Sequence, residues 1–183
     1  MNTVEPIREK SLITDISNYL RDISERDYVL FVFGIFTGLR ISDILKLKVR
    51  DVRDRDYISI REKKTGKEKR FPFNDRLKPV IRDYIAGKKD YEYLFKSRKG
   101  KNEPITRQQA YNILNKAADA FDLYAIGTHT LRKTFGYHMY QQTKDAVTIQ
   151  KILNHSDISI TLRYIGITQD MQDSTMKKLH FDV

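Results

Sequence analysis

The sequence predicts an α+β fold, mainly α-helical with one small antiparallel β-sheet, and three observations predict it. Stretches with apolar residues three and four apart recur along the 183 residues, as helices with one buried face require. Residues 57–73 instead alternate apolar and polar positions on either side of Thr65-Gly66, the pattern of a hairpin. No internal repeat, heptad array or low-complexity tract points to another architecture.

Taken in order, residues 11–24 carry Leu12, Ile16, Tyr19, Leu20 and Ile23 at helical spacing. Residues 28–36 are apolar all round, and periodicity does not separate a buried helix from a buried strand there. Gly38 is placed to end that element with a left-handed turn, and a helix is expected directly after it, burying Ile41, Ile44 and Leu45. In the hairpin, Ile58 and Ile60 alternate with polar residues, as do Phe71 and Phe73 across Pro72, which marks an edge or strand end. A helix follows over 75–86, closed by Gly87, then a short strand at 93–95 and a basic loop over 96–102. Thr106 is expected to cap a helix reaching about Phe121, and Thr128 another that carries His129 and Arg132. On that second helix Leu131, Phe135 and Met139 face the core, while Gly136 leaves room for a ligand or partner and His138 is structural. A short helix spans 147–153. Ile158, Ile160 and Leu162 then fit a strand, whereas Ile158, Leu162 and Ile165 fit a helix.

The length fits one domain with a core that needs no disulfide, and the chain has no cysteine, so thiolate chemistry and cysteine-bound metals are excluded. Absence of cysteine is compatible with the cytoplasm. The N-terminus has no secretory pattern, and the longest apolar run is too short to span a bilayer. A balance of 34 Lys+Arg against 24 Asp+Glu, net +10, suits a polyanion such as nucleic acid.

Chemistry concentrates in the last third, where His129-Thr-Leu-Arg132, Asn154-His155-Ser156 and Leu162-Arg163-Tyr164 follow one another within 36 positions. A guanidinium binds phosphate oxygens through its planar fork, imidazoles move protons, and a phenol is a nucleophile. The spacing of 23 residues from Arg132 to His155, and of nine from His155 to Tyr164, resembles the catalytic end of the tyrosine recombinase (phage-type integrase) family. Thr37-Gly38-Leu39-Arg40-Ile41-Ser42-Asp43, ending 89 positions before Arg132, resembles that family's first box, with Asp43 where glutamate is usual. The shorter acid is expected to orient Arg40.

The resemblance implies an integrase-like catalytic domain over residues 1–183, with a tail from about 168, lacking the helical DNA-grasping domain that precedes it in the family. It resolves both ambiguous stretches in favour of helix. The implied catalytic set is Arg40, Lys64 in the hairpin (with Lys63 as the close alternative), His129, Arg132, His155 and Tyr164, and Lys63, Lys67, Lys69, Arg70 and Lys133 are weaker candidates for DNA contact. The implied reaction is site-specific recombination through a 3′-phosphotyrosyl link, conserving bond energy and needing no cofactor. The implied partners are double-stranded DNA and three further copies of the chain. A type IB topoisomerase, a telomere resolvase or a non-catalytic DNA-binding module are the rival readings.

Overall fold

The computed structural model describes residues 4–61 and 68–179. In chain order the described elements are α1 (Lys10–Ile23), α2 (Glu25–Thr37), α3 (Ile41–Ile44), a 3₁₀ turn (Val49–Asp51), β1 (Tyr57–Arg61), β2 (Glu68–Pro72), α4 (Leu77–Ile85), α5 (Arg107–Ala120), α6 (Thr130–Thr143), α7 (Ala146–Leu153), α8 (Ile158–Tyr164) and α9 (Ile167–Met176). This is the mainly helical α+β class with one two-stranded antiparallel sheet.

The most apolar stretch of the sequence forms α2, which packs against α1, α4 and α6. Val29, Leu30, Phe31, Val32 and Phe33 are all buried, which explains why no polar face shows in its sequence. Phe33 also meets Phe73 and Phe95 edge-on, with ring centroids 6.4 and 5.7 Å apart, and so ties the hairpin end and the 93–95 segment to α2. That segment is not the strand expected: Leu94 N–H donates to Leu47 O, and isolated bridges join Lys48 to Tyr93 and Lys96 to Pro104.

The hairpin pairs Ile58 with Phe71 and Ile60 with Lys69. Paired residues share a face, so Lys69 points inward with these apolar side chains while Arg70 points outward, its guanidinium 4.7 Å from the Tyr57 ring. Thr106 caps α5 as expected. Its hydroxyl accepts from Gln109 N–H and the Gln109 side chain accepts from Thr106 N–H, a reciprocal capping box.

Among the described residues two apolar clusters result. The larger gathers α1 to α5, the hairpin and Leu131; the smaller holds Ile149, Leu153, Ile165 and Ile167, with Phe135, Met139 and Leu162 against it. Helix α6 runs along the seam, giving Leu131 to one and Phe135 to the other. Close approach at this seam needs glycines. A Cβ on Gly34 would lie 2.4 Å from Leu131 Cδ1, and one on Gly38, whose φ is +62°, 2.3 Å from Phe135 Cδ1. Gly136 plays the same part: its missing Cβ would stand 2.6 Å from Ile165 Cγ2, so the room expected there for a ligand or partner is filled by the turn after α8. Among the described residues no helix is long and apolar enough to cross a membrane.

Gly38→Ala combines a left-handed backbone with a clash against an aromatic ring. It is expected to destabilise the chain by roughly 2–4 kcal/mol, measured as the shift in urea midpoint at unchanged slope.

Candidate active site

Helix α2 ends at Gly38, and the chain turns through Leu39 and Arg40 into α3, leaving Arg40 exposed at the rim. Helix α6 begins one residue later than Thr128 capping implied, so His129 sits at its cap and Arg132 in its first turn. Arg132 is 5 % exposed. Its Nη1 donates to Gly38 O at the end of α2, and its Nη2 donates to Leu153 O at the end of α7, 2.7 Å away. Both acceptors are carbonyls that a helix terminus leaves without an intrahelical partner, and both lie at negative dipole ends.

Beside this pair lies a hollow of about 420 Å³ lined by Arg40, Asp43, Arg61, Lys69, Arg132 and Asn154 among others. A smaller one of about 130 Å³ adjoins it, between Arg40, Arg107, His129 and Arg132. Arg40 and Arg132 thus face the same space from different elements. Asp43 does not orient Arg40 through its carboxylate as expected: Asp43 N–H donates to Arg40 O at 2.8 Å, but among the described residues no ion pair or side-chain hydrogen bond joins the two, and the carboxylate instead steadies the Arg132 charge.

Tyr164 closes α8. Its hydroxyl lies 3.3 Å from His129 Nδ1, and its ring meets the His155 ring edge-on with centroids 5.0 Å apart. His155 follows α7, whose last carbonyls receive Lys69 (Lys151 O, and Ile152 O at 3.0 Å) as well as Arg132. Asn154, left-handed at φ +53°, swings the chain out of the helix. Thr161, fully buried one turn before Tyr164, lies 3.0 Å from His155 Nδ1 and donates to Asp157 O. With its one proton on that carbonyl, the hydroxyl accepts from a ring N–H and fixes the imidazole. Thr161 was missed from the sequence, although a polar residue on the inner face of a short helix, three before the tyrosine, was the available signal.

Electrostatics follow from crowding cations in a half-buried space. Burial, then Arg107, Arg132, Lys133 and Arg40, lower the His129 pKa; burial, then Arg132 and Arg40, lower that of His155. Burial brings Arg132 down to about 10, with Arg40 adding to it and Tyr164 and Asp43 opposing. Burial raises the Tyr164 phenol, against the pull of Arg132 and Arg40. At neutral pH the site therefore holds two neutral imidazoles, a protonated phenol and two guanidinium cations.

The structure brings Arg40, His129 and Arg132 to two adjoining hollows, with the Tyr164 hydroxyl against His129 and the His155 ring against that of Tyr164. Lys63, Lys64 and Lys67 lie outside the described residues. Lys69 and Lys133 do not stand free on the surface as DNA-contacting lysines would: Lys69 is clasped to α7, and Lys133 is buried, donating to Val4 O at 2.7 Å. Arg70 is exposed.

A sequence model described as the phage integrase family matches residues 8–171. The chain belongs to that family. It is 50% identical over 177 residues to the probable integrase/recombinase YoeC of Bacillus subtilis, covering 97% of both chains. It is 30% identical over 149 residues to the tyrosine recombinase XerA of Pyrococcus furiosus, covering 80% of this chain and 51% of that one. The fold is shared with a XerH site-specific recombinase bound to its difH substrate, at a TM-score of 0.73 and 19% identity over 97% of this chain and 54% of that chain. This chain thus spans nearly all of YoeC and about half of the Xer relatives.

Both imidazoles are expected to titrate below 6.5 when followed by NMR, and to move back towards that value in Arg40→Ala. Their folded pKa values lie below the unfolded one, so their contribution to stability is intact at neutral pH. It is lost as pH falls from 6.5 through the folded values, because the unfolded chain takes up protons first.

Proposed function

We propose that this chain is a site-specific DNA recombinase that breaks and rejoins strands through a 3′-phosphotyrosyl intermediate. The observation that carries the reading is the placing of His129 Nδ1 3.3 Å from the Tyr164 hydroxyl, beside a hollow that Arg40 and Arg132 share. A phosphate entering that hollow meets guanidinium groups where its non-bridging oxygens gain charge in the transition state. Ionising the phenol in water at pH 7 costs roughly 4 kcal/mol, three pK units from its ordinary value near 10. The neutral His129 is placed to accept that proton as the phenolate oxygen attacks phosphorus, and the two guanidiniums stabilise the charge. The bond to the 5′ oxygen breaks as the phosphotyrosyl bond forms, and that oxygen takes a proton, which the family resemblance assigns to Lys64. His155, held by Thr161 and edge-on to Tyr164, positions the nucleophile and, once protonated beside the entering anion, donates from Nε2 to the same phosphate. Rejoining runs the step backwards, with a 5′-hydroxyl as nucleophile.

The substrate is double-stranded DNA at paired sites, engaged by four copies of the chain in the cytoplasm. Met171, Met176 and Leu179, exposed along and beyond α9, supply apolar contact for a neighbouring copy. Deleting the residues after Lys177 is expected to weaken DNA-dependent assembly, measured by light scattering with and without DNA. Binding by this chain alone is weak and salt-sensitive, since phosphate contacts dominate it. No observation favours supercoil relaxation, telomere resolution or a purely binding role.

The test is covalent capture on nicked suicide duplexes drawn from a randomised library. Wild-type protein should form an adduct that Tyr164→Phe abolishes and that Arg132→Ala slows by about 10²–10³. An adduct that persists in Tyr164→Phe refutes the assignment.

A further inference from the structure

Residues 4–7 lie before the stretch that the family model matches, yet they are stitched into the site. Glu5 N–H donates to Ala125 O (2.8 Å), Ile7 N–H to Thr134 Oγ1 (2.9 Å), and His138 Nε2–H to Ile7 O (2.9 Å). This extended strap runs along α6 and reaches Tyr164 by two routes. On the side-chain route, Val4 O accepts from Lys133 Nζ at 2.7 Å, and the same ammonium lies 5.1 Å from the centroid of the Tyr164 ring. On the backbone route, Arg8 Nε pairs with Asp170 Oδ1 of α9 at 2.9 Å, across the turn that follows Tyr164. In that turn Gly166 takes the left-handed φ of +85°, and the strap packs close to it: a Cβ would lie 2.9 Å from the end of the Arg8 side chain (Nη2) and 3.2 Å from Pro6 Cγ.

We infer that Val4–Arg8 and Lys133 form a positioning element for the nucleophile, fixing the Tyr164 ring through the lysine and its backbone turn through Arg8–Asp170. Closing the core does not account for this arrangement. Pro6 and Ile7 bury apolar surface whatever occupies position 133, and an ammonium taken out of water is costlier there than a packed methionine. The ammonium is instead matched to its surroundings, between a carbonyl and a π-face with the Glu5 carboxylate nearby, and it adds to the cations that lower the His129 pKa. The strap makes no contact with a reacting atom. It acts by limiting the orientations of the phenol relative to His129, and small misplacements of a reacting group are expensive in rate.

The inference rests on the recombinase reading for its effect on rate, but not for its effect on the protein. Hydrogen exchange in the free chain is therefore measured first, in Lys133→Met and in Arg8→Gln. Amides of residues 161–168 should exchange roughly tenfold faster or more, while those of α4 keep wild-type rates. Single-turnover adduct formation on a duplex captured by the wild-type protein is measured second. It should slow by about ten- to a hundredfold at saturating DNA, with the half-saturating DNA concentration unchanged. Lys133→Arg and the charge swap Arg8→Asp with Asp170→Arg should each restore both quantities. Wild-type exchange in both single variants overturns the inference, as does a rate loss matched by weakened DNA binding or left uncorrected by the rescues. Should Lys133→Met fail to fold, Arg8→Gln, at a half-exposed ion pair, decides alone. Should the wild-type protein form no adduct, the recombinase reading fails, and the exchange measurement with its rescues still decides the strap.

Discussion

Arg132 spans the seam between the two apolar clusters, donating at once to the carbonyl that closes α2 and to the last carbonyl of α7. A buried guanidinium is costly unless its N–H groups find acceptors, and helix C-termini supply acceptors that already carry partial negative charge. The same residue that faces the hollow thus also sets how the α7–α9 unit sits on α2. Remove it and two helix ends lose a partner, so a loss of rate comes with a loss of stability. Lys69 adds a second cation at the end of α7, fastening the hairpin to the segment that leads into His155.

Around that anchor, like charges are held closer than they would choose. Arg40 and Arg132 line one hollow: burial, with these cations adding to it, keeps both imidazoles neutral, while the phenol stays protonated because burial outweighs the cations. An entering phosphate reverses the balance by supplying the missing anion. The groups are set in advance for a charge that arrives with the substrate, and little reorganisation is needed when it does.

Much of this was legible in residue order. The resemblance carried by the motifs around Arg40, His129, Arg132, His155 and Tyr164 implied one site, and period-3.6 patterning placed α1, α4 and α5 to within a residue or two. The stretches that periodicity left open, residues 28–36 and 158–164, were open for a physical reason. The first is buried on every side, and the second is too short for its period to show, burying Thr161 and Ile165 while Ile158 and Ile160 stay exposed. Gly136 and Lys133 were misjudged for a related reason. A gap in one helix is filled by another element, and a lysine is buried by a strap more than 120 residues away in sequence, neither of which local pattern encodes.

What the sequence determined by itself was the chemical inventory and the class of fold, because residue types, their order and hydrophobic period are properties of the chain alone. What only the tertiary structure decided was which polar group meets which: Arg132 with two helix ends, His129 with the Tyr164 hydroxyl, Thr161 with His155, Lys69 with α7 and Val4 with Lys133. Hydrogen bonds and charge pairing fall off within a few ångströms, so they depend on distances that exist only once helices far apart in sequence have packed.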